Sequence, residues 1–347
     1  MSSNTDALNE AIRKLATRQD LSAAETEAAF SVVMDGHASD VQKTALLVGL
    51  RAKGETPQEV AGGVRALGRA MVVVKVPDPD AVVDTCGTGG GSLTTFNIST
   101  AAAFALAGAG VPVAKHGNRS FSSKCGSADV LEALGIQLPL TPQRMEAVFA
   151  RAGLSFLFAP RLHPAMRHVG PVRQELGVPT IMNILGPLTN PAGARRQVVG
   201  VADPKLLNLV AEALRELGHI RALVVHGEPG MDEFSPVGAT RGVRVEDGTL
   251  EEFVFDPVGE LGWTGLQAAD LAGGDPPDNA RVIEQVLAGK GTRTARAAVV
   301  LNTAAGLYVA GFVENLVEGV DLAESALDEK KGWEALERVR EVTRSEA

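Results

Sequence analysis

A chain of 347 residues, 45% hydrophobic and 22% charged, is long enough to bury a sizeable core and to hold two domains, one large and one small. A net charge of −9 argues against a general nucleic-acid or anionic-membrane surface while leaving room for a local cationic pocket. Two cysteines, Cys86 and Cys125, imply no disulfide framework. With no basic-then-apolar signal at the N-terminus and no membrane-length apolar stretch, a protein of the reducing cytoplasm is expected.

Residues 5 to about 72 read as helix throughout, with Leu8, Ile12 and Leu15 on one face and Phe30, Val33 and Met34 on another. Capping boxes at Ser22 with Glu25, Ser39 with Gln42 and Thr56 with Glu59 cut this stretch into about four short helices, the last opening on Pro57. The segment MVVVKVPDPDAVVD at 71–84 turns β-branched and then Pro- and Asp-rich, which predicts a hinge between a helical domain, 1–74, and an α/β domain, 75–347. Beyond it, short apolar runs at 82–83, 111–114, 155–158, 197–201, 221–226, 242–245 and 252–255 alternate with helical stretches such as 99–108, 127–135, 142–152, 204–218 and 278–289. That alternation predicts a mostly parallel sheet covered by helices. HPAMRHVGPVRQELG at 163–177 interrupts the rhythm; it reads as helical, and the segment near 163–185 is expected to return to the helical domain. Thr294 to Arg344 reads as two or three closing helices, with Gly306 and Gly311 permitting close helix approach.

Two glycine- and hydroxyl-rich loops carry the chemistry. DTCGTGGGSLTTFNIST at 84–100 and KHGNRSFSSKCGSAD at 115–129 each follow a β-branched run and open a helix, so both aim backbone N–H groups and helix N-termini at an anion. A glycine cluster alone is also an ordinary turn. Here Asn97, Ser99 and Thr100 follow it at the helix entry, where capping and phosphate binding use the same donors. No acidic residue sits where a dinucleotide fingerprint needs one, and no Lys-Ser/Thr pair marks a nucleotide P-loop. The second loop adds Lys115, His116, Arg119 and Lys124 among Ser120, Ser122, Ser123 and Ser127, the last expected to cap the helix ADVLEALG. A solvated turn would have the same composition, but ligands of open α/β sheets bind outside the carboxyl ends of strands. Beside a polyanion, the adjacent Asp232 and Glu233 in HGEPGMDEFSP suit Mg²⁺, with the Ser99 hydroxyl able to complete the set. No His/Cys spacing suggests zinc.

Several strings together resemble the anthranilate phosphoribosyltransferase family: GTGG followed by FNIST, KHGNR followed by GSADVLEALG, HPAM, VRQELG, ILGPLTNP, and VVHG followed by DE. The resemblance runs from about residue 8 to 335. It implies a nucleoside-phosphorylase-like architecture of the α/β class, a small N-terminal helical domain beside a larger domain with a mostly parallel sheet, usually as a homodimer. It also implies 5-phosphoribosyl 1-diphosphate and anthranilate as substrates, Mg²⁺ as cofactor, and neither nucleic acid nor membrane as partner. By the same likeness Gly87, Gly90, Gly91, Thr95, Asn97, Ile98, Ser99 and Thr100 would surround diphosphate and ribose. Lys115, Gly117, Asn118, Arg119, Ser123 and Ser127 would hold phosphates and shape the cleft, and Ser99, Asp232 and Glu233 would hold the metal. Arg173 would meet the anthranilate carboxylate, with Asn118 near the amine and His116 and His163 at the entry; Arg173, Asn118 and Lys115 would be the catalytic set.

The chain departs from the family pattern twice, at Gly91, commonly Asp, and at Cys125, commonly Ser. Cys86 and Cys125 read as small packing residues, although cations and helix starts nearby could instead lower a thiol pKa. Within the same fold, a pyrimidine-nucleoside phosphorylase would need no acidic pair. A non-catalytic nucleic-acid-binding relative would need a basic surface, and a transferase for another aromatic amine acid is not separated by these motifs.

Overall fold

The computed structural model describes residues 5–119 and 124–345. Its N-terminal part consists of α1 (Asp6–Ala16), α2 (Ala23–Met34), α3 (Asp40–Lys53) and α4 (Pro57–Arg69). All three expected capping boxes close: the Ser22, Ser39 and Thr56 hydroxyls accept from the N–H three residues on, and the Glu25, Gln42 and Glu59 side chains accept from the cap N–H in return. The connection that follows is tied down, Val72 N–H donating to Leu162 O at 2.7 Å and Val74 N–H to Pro191 O at 3.0 Å.

Each of the seven apolar runs forms a strand: β1 (Val83–Gly87), β2 (Val113–Gly117), β3 (Leu154–Phe158), β4 (Arg196–Gly200), β5 (Arg221–Gly227), β6 (Thr240–Glu246) and β7 (Thr249–Phe255). They make one sheet in the order β3-β2-β1-β4-β5-β6-β7, parallel from β3 to β5 and antiparallel at β6 and β7. Between them lie α5 (Ile98–Gly108), α6 (Ser127–Ala133), α7 (Pro142–Ala152), α8 (Ala159–Leu162), α9 (Gly170–Leu176), α10 (Met182–Leu185) and α11 (Leu206–Glu216). After the sheet come α12 (Pro257–Leu261), α13 (Pro276–Leu287), α14 (Arg293–Ala310), α15 (Leu316–Asp328) and α16 (Lys331–Arg344).

Alternation along the strands splits the apolar interior in two. On β5, Leu223 and Val225 join the core formed with α5, α13, α14 and α16, while Ala222 and Val224 face the opposite way. The second core also contains Leu8, Phe30 and Leu46 from the N-terminal helices and Val169, Ile181 and Leu185 from the segment after β3. That segment is not one helix. It is a 3₁₀ turn (Pro164–His168) followed by α9, broken because Pro164 and Pro171 each open a new turn and disfavour helix at the residue before. Gly306 does serve close approach, since a Cβ there would run into Leu106 of α5; Gly311, at φ 80°, instead ends α14 as a left-handed cap. Among the described residues, no helix is long and apolar enough to cross a membrane.

Candidate active site

The parallel strands step outward from β1 to β2 and β3 on one side and to β4 and β5 on the other, so the strand order reverses between β1 and β4. Such a reversal leaves a crevice at the carboxyl ends of the strands where ligands of open α/β sheets bind. The loop after β1 passes through Gly89 and Gly90 at φ 67° and 83°, a conformation that turns successive N–H groups outward. Gly89 N–H donates to Asp232 Oδ2 at 2.8 Å. Asp232 lies over the strand ends because Gly87 and Gly200, paired in register on β1 and β4, have no side chain; a Cβ on either would overlap it. Ser92 N–H and Ser92 Oγ–H hold Gly230 O and Pro229 O, each at 3.0 Å, so the first loop lies flat on the turn after β5. The departure at Gly91 belongs to this contact: a Cβ there would stand 2.7 Å from Gly230 O, and a carboxylate would force the turn to move.

Glu233 faces the start of α5. Its Oε1 accepts from Ser99 N–H at 2.9 Å and its Oε2 from Thr95 Oγ1–H at 3.3 Å. Burial, aided by the charge of Asp232, pushes its carboxyl up to about 8. Lys115 runs beneath, donating to Thr85 O and, at 3.2 Å, to Ser99 Oγ; burial pulls the ammonium down from its ordinary value, opposed by Asp84 above all. The backbone donors that an anion would use, Gly89 N–H and Ser99 N–H, are thus held by the two carboxylates. Asp232, Glu233 and Ser99 also line one small cavity with Thr85, Gly200 and Asn302. Two carboxylates and a hydroxyl form an all-oxygen set that fits a hard cation completing its shell with ligand oxygens and water. The described residues contain no group of three or more His, Cys, Asp or Glu arranged for a metal.

The second loop differs from expectation in its details. Gly126 occupies the cap position of α6, with its N–H held by Asp129 Oδ2 at 2.9 Å, and Ser127 is the first helical residue. Ser127 Oγ accepts from Asn118 N–H and donates to Asn118 O, both at 3.1 Å, bracing the turn beside Gly117. Arg119 is not a free cation for a ligand: it pairs with Asp129 at 2.8 Å and Glu132 at 2.7 Å, which hold its guanidinium above its ordinary pKa. Ile98 gives no side chain to the site, being fully buried with its N–H spent on Phe96 O at 2.7 Å, and Thr100 is fully buried too. Asn97 holds the cap position of α5 without capping it. Burial pushes the Cys86 thiol well up and Cys125 to about 11, which supports packing roles for both. Ser123, with Ser120 and Ser122, lies outside the described residues.

On the other wall, His116 and His163 meet Nε2 to Nε2 at 3.2 Å, and burial holds them at about 3 and 4, so both rings are neutral and share one proton between the facing nitrogens. This contact docks the segment after β3 onto β2. Arg173, half-buried on α9, has Asn183 Oδ1 at 3.5 Å and no carboxylate partner among the described residues; burial alone lowers its pKa.

Sequence reasoning missed the polar residues underneath. Asp84, fully buried, accepts from His116 N–H at 3.1 Å, Asn190 Nδ2–H at 2.8 Å and Gln197 Nε2–H at 3.1 Å. Asn302 of α14 brackets Phe234, next to Glu233, through both its N–H and its carbonyl at 3.0 Å. In the sequence Asp84 only opens the glycine string and Asn302 only interrupts an apolar run, and neither shows its partners there.

Residues 79–332 match the glycosyl transferase family a/b domain, and residues 9–71 its helical bundle domain. The chain is 48% identical over 337 residues to the anthranilate phosphoribosyltransferase of Rubrobacter xylanophilus, an alignment covering 97% of this chain and 98% of that one. Its fold is similar to the anthranilate phosphoribosyltransferase of Thermus thermophilus, with TM-score 0.91, 42% identity and coverage of 96% and 99%. The Saccharomyces cerevisiae anthranilate phosphoribosyltransferase, solved in complex with PRPP and Mg, superposes with TM-score 0.87 at 27% identity, 97% of each chain being covered.

Proposed function

The chain belongs to the anthranilate phosphoribosyltransferase family, and from that premise we propose how its residues divide the work. The reaction is transfer of the phosphoribosyl group from 5-phosphoribosyl 1-diphosphate to the amine of anthranilate, giving N-(5-phosphoribosyl)anthranilate and pyrophosphate, a step of tryptophan biosynthesis. The observation that supports the assignment is convergence: the loops after β1 and β2, the acidic turn after β5 and His163, at the start of the segment that carries Arg173, come together at one end of one sheet.

In this reading the N–H groups of Gly89 and Ser99 pass from the two carboxylates to the diphosphate, the helix N-terminus of α5 adding its dipole. Ser99, Asp232 and Glu233 would hold Mg²⁺, whose charge favours the departing pyrophosphate. Lys115 lends positive charge from below, and Asn118, braced by Ser127, shapes the cleft at the reacting carbon. Arg173, lacking a protein carboxylate among the described residues, takes the carboxylate of anthranilate in a bidentate pair and turns the amine toward the ribose. An aromatic amine is uncharged at neutral pH, so attack needs no prior deprotonation and catalysis comes from positioning and charge complementarity.

The test follows anthranilate fluorescence in the presence of purified protein, 5-phosphoribosyl 1-diphosphate and Mg²⁺. A fall that requires both donor and metal is expected. No fall in folded protein would contradict the acceptor, and a panel of aromatic amine acids would then identify the replacement.

A further inference from the structure

One polar cluster near the site has no place in the division of work above. Asn279 is on α13, 182 positions from Asn97, yet it is buried against the first loop. Its Oδ1 accepts from Gly274 N–H at 2.7 Å, and its Nδ2 donates to Asn97 Oδ1 at 3.0 Å. A backbone N–H can only donate, so Gly274 fixes which end of the Asn279 amide faces which way. That in turn fixes Asn97: its Oδ1 must face Asn279, and its Nδ2 is left for the other side, where it donates to Cys125 O at 3.3 Å. The Cys125 thiol donates back to Asn97 Oδ1 at 3.3 Å. Asn97 therefore bridges the two phosphate loops, and its amide has a second Nδ2 hydrogen to offer a ligand between them.

The backbone repeats the arrangement. Phe96 N–H donates to Leu271 O and Gly273 N–H to Thr94 O, both at 3.0 Å, and a Cβ on Gly273 would strike Thr95 O. The stretch from Leu271 to Asn279 thus grips the first loop just before α5 begins, which is where Asn97 stands.

We propose that Asn279 is a positioning residue for the phosphoribosyl donor: it orients the Asn97 amide and sets the spacing between the two loops without touching substrate itself. The inference rests on the placement of the donor between those loops. A departure from the family pattern is compatible with it, because the bond from Asn97 to position 125 uses a backbone carbonyl that Ser or Cys supplies equally, and either side chain can donate in return.

A double-mutant cycle with Asn97→Ala and Asn279→Ala tests this, reading KM for 5-phosphoribosyl 1-diphosphate, KM for anthranilate, kcat, and the dissociation constant of Mg²⁺ with pyrophosphate by calorimetry. Each single variant should weaken donor and pyrophosphate binding by about tenfold, the scale of one lost hydrogen bond to a charged ligand, and Asn279→Ala should keep kcat and anthranilate KM within about threefold. The double variant should bind no worse than Asn97→Ala alone. Additive losses, or an unchanged donor KM in Asn279→Ala, would overturn the proposal. Should Asn279→Ala fail to fold, Asn279→Asp serves: it keeps the acceptor for Gly274 and the volume but cannot donate to Asn97, and the same losses are expected. Because the calorimetric arm needs no turnover, an inactive wild type would count against the acceptor assignment and leave the cycle readable.

Discussion

Asp84 carries a carboxylate with no solvent exposure into the middle of the sheet, where three N–H donors from β2, β4 and the segment before β4 converge on it. Burial raises its pKa, opposed most strongly by the charge of Lys115. Removing it leaves three donors unpaired beside a buried ammonium, so Asp84→Ala should lose about 3 kcal/mol or more of stability in a urea titration. A loss below about 1 kcal/mol would mean that water replaces the carboxylate. In the sequence Asp84 is visible only as the residue that opens a glycine string. The site residues that can be read are those in strings with a composition of their own, such as GTGGG or the adjacent Asp232 and Glu233. Asp84, Asn279 and Asn302 cannot be read because their partners are supplied by folding and lie far off in sequence.

At the scale of elements, the turn after β5 and the loop after β1 behave as one unit, with carboxylates filling the amides that a diphosphate would use. This makes a prediction of opposite signs. Without metal, Asp232→Ala should bind pyrophosphate about tenfold more tightly than the wild type, because a competing charge leaves Gly89 N–H. With Mg²⁺ the same variant should bind more weakly, because a metal ligand is gone. Calorimetry with and without Mg²⁺ reads both, and weaker binding under both conditions would sink the exchange. Local signals place these elements well. The boxes at Ser22, Ser39 and Thr56 form because cap and third residue sit on one turn, and each strand follows a β-branched run. The stretch 163–177 reads as continuous helix because its apolar spacing is helical, while Pro164 and Pro171 decide the breaks.

Across the whole molecule, burial dominates the titration behaviour. His116, His163 and His219 are held at about 3, 4 and 4 against an ordinary 6.5, so the unfolded chain binds their protons first. Their contribution is intact above pH 6.5 and is lost as pH falls toward 4. Glu233, raised to about 8, and Asp84, raised by burial, work the other way as pH falls, but they are two groups against three below 6.5. The melting temperature of the metal-free protein should therefore drop steadily from pH 6.5 to 4.5, and a flat profile across that range would contradict neutral buried histidines. Strand order is not legible at this scale, since an apolar run does not say which neighbour it will pair with. Nor is the second core, in which the N-terminal helices and one face of β5 share apolar partners.

In the proposed mechanism Arg173 anchors the acceptor, half-buried and with no carboxylate of its own among the described residues. Steady-state kinetics of Arg173→Ala, varying each substrate in turn, measures this directly. The expected result is a KM for anthranilate raised by about a hundredfold, as for loss of a bidentate charged pair, with the KM for 5-phosphoribosyl 1-diphosphate nearly unchanged. Equal increases in the two constants would contradict the assignment, and with it the proposal that the segment after β3 presents anthranilate to the two phosphate loops.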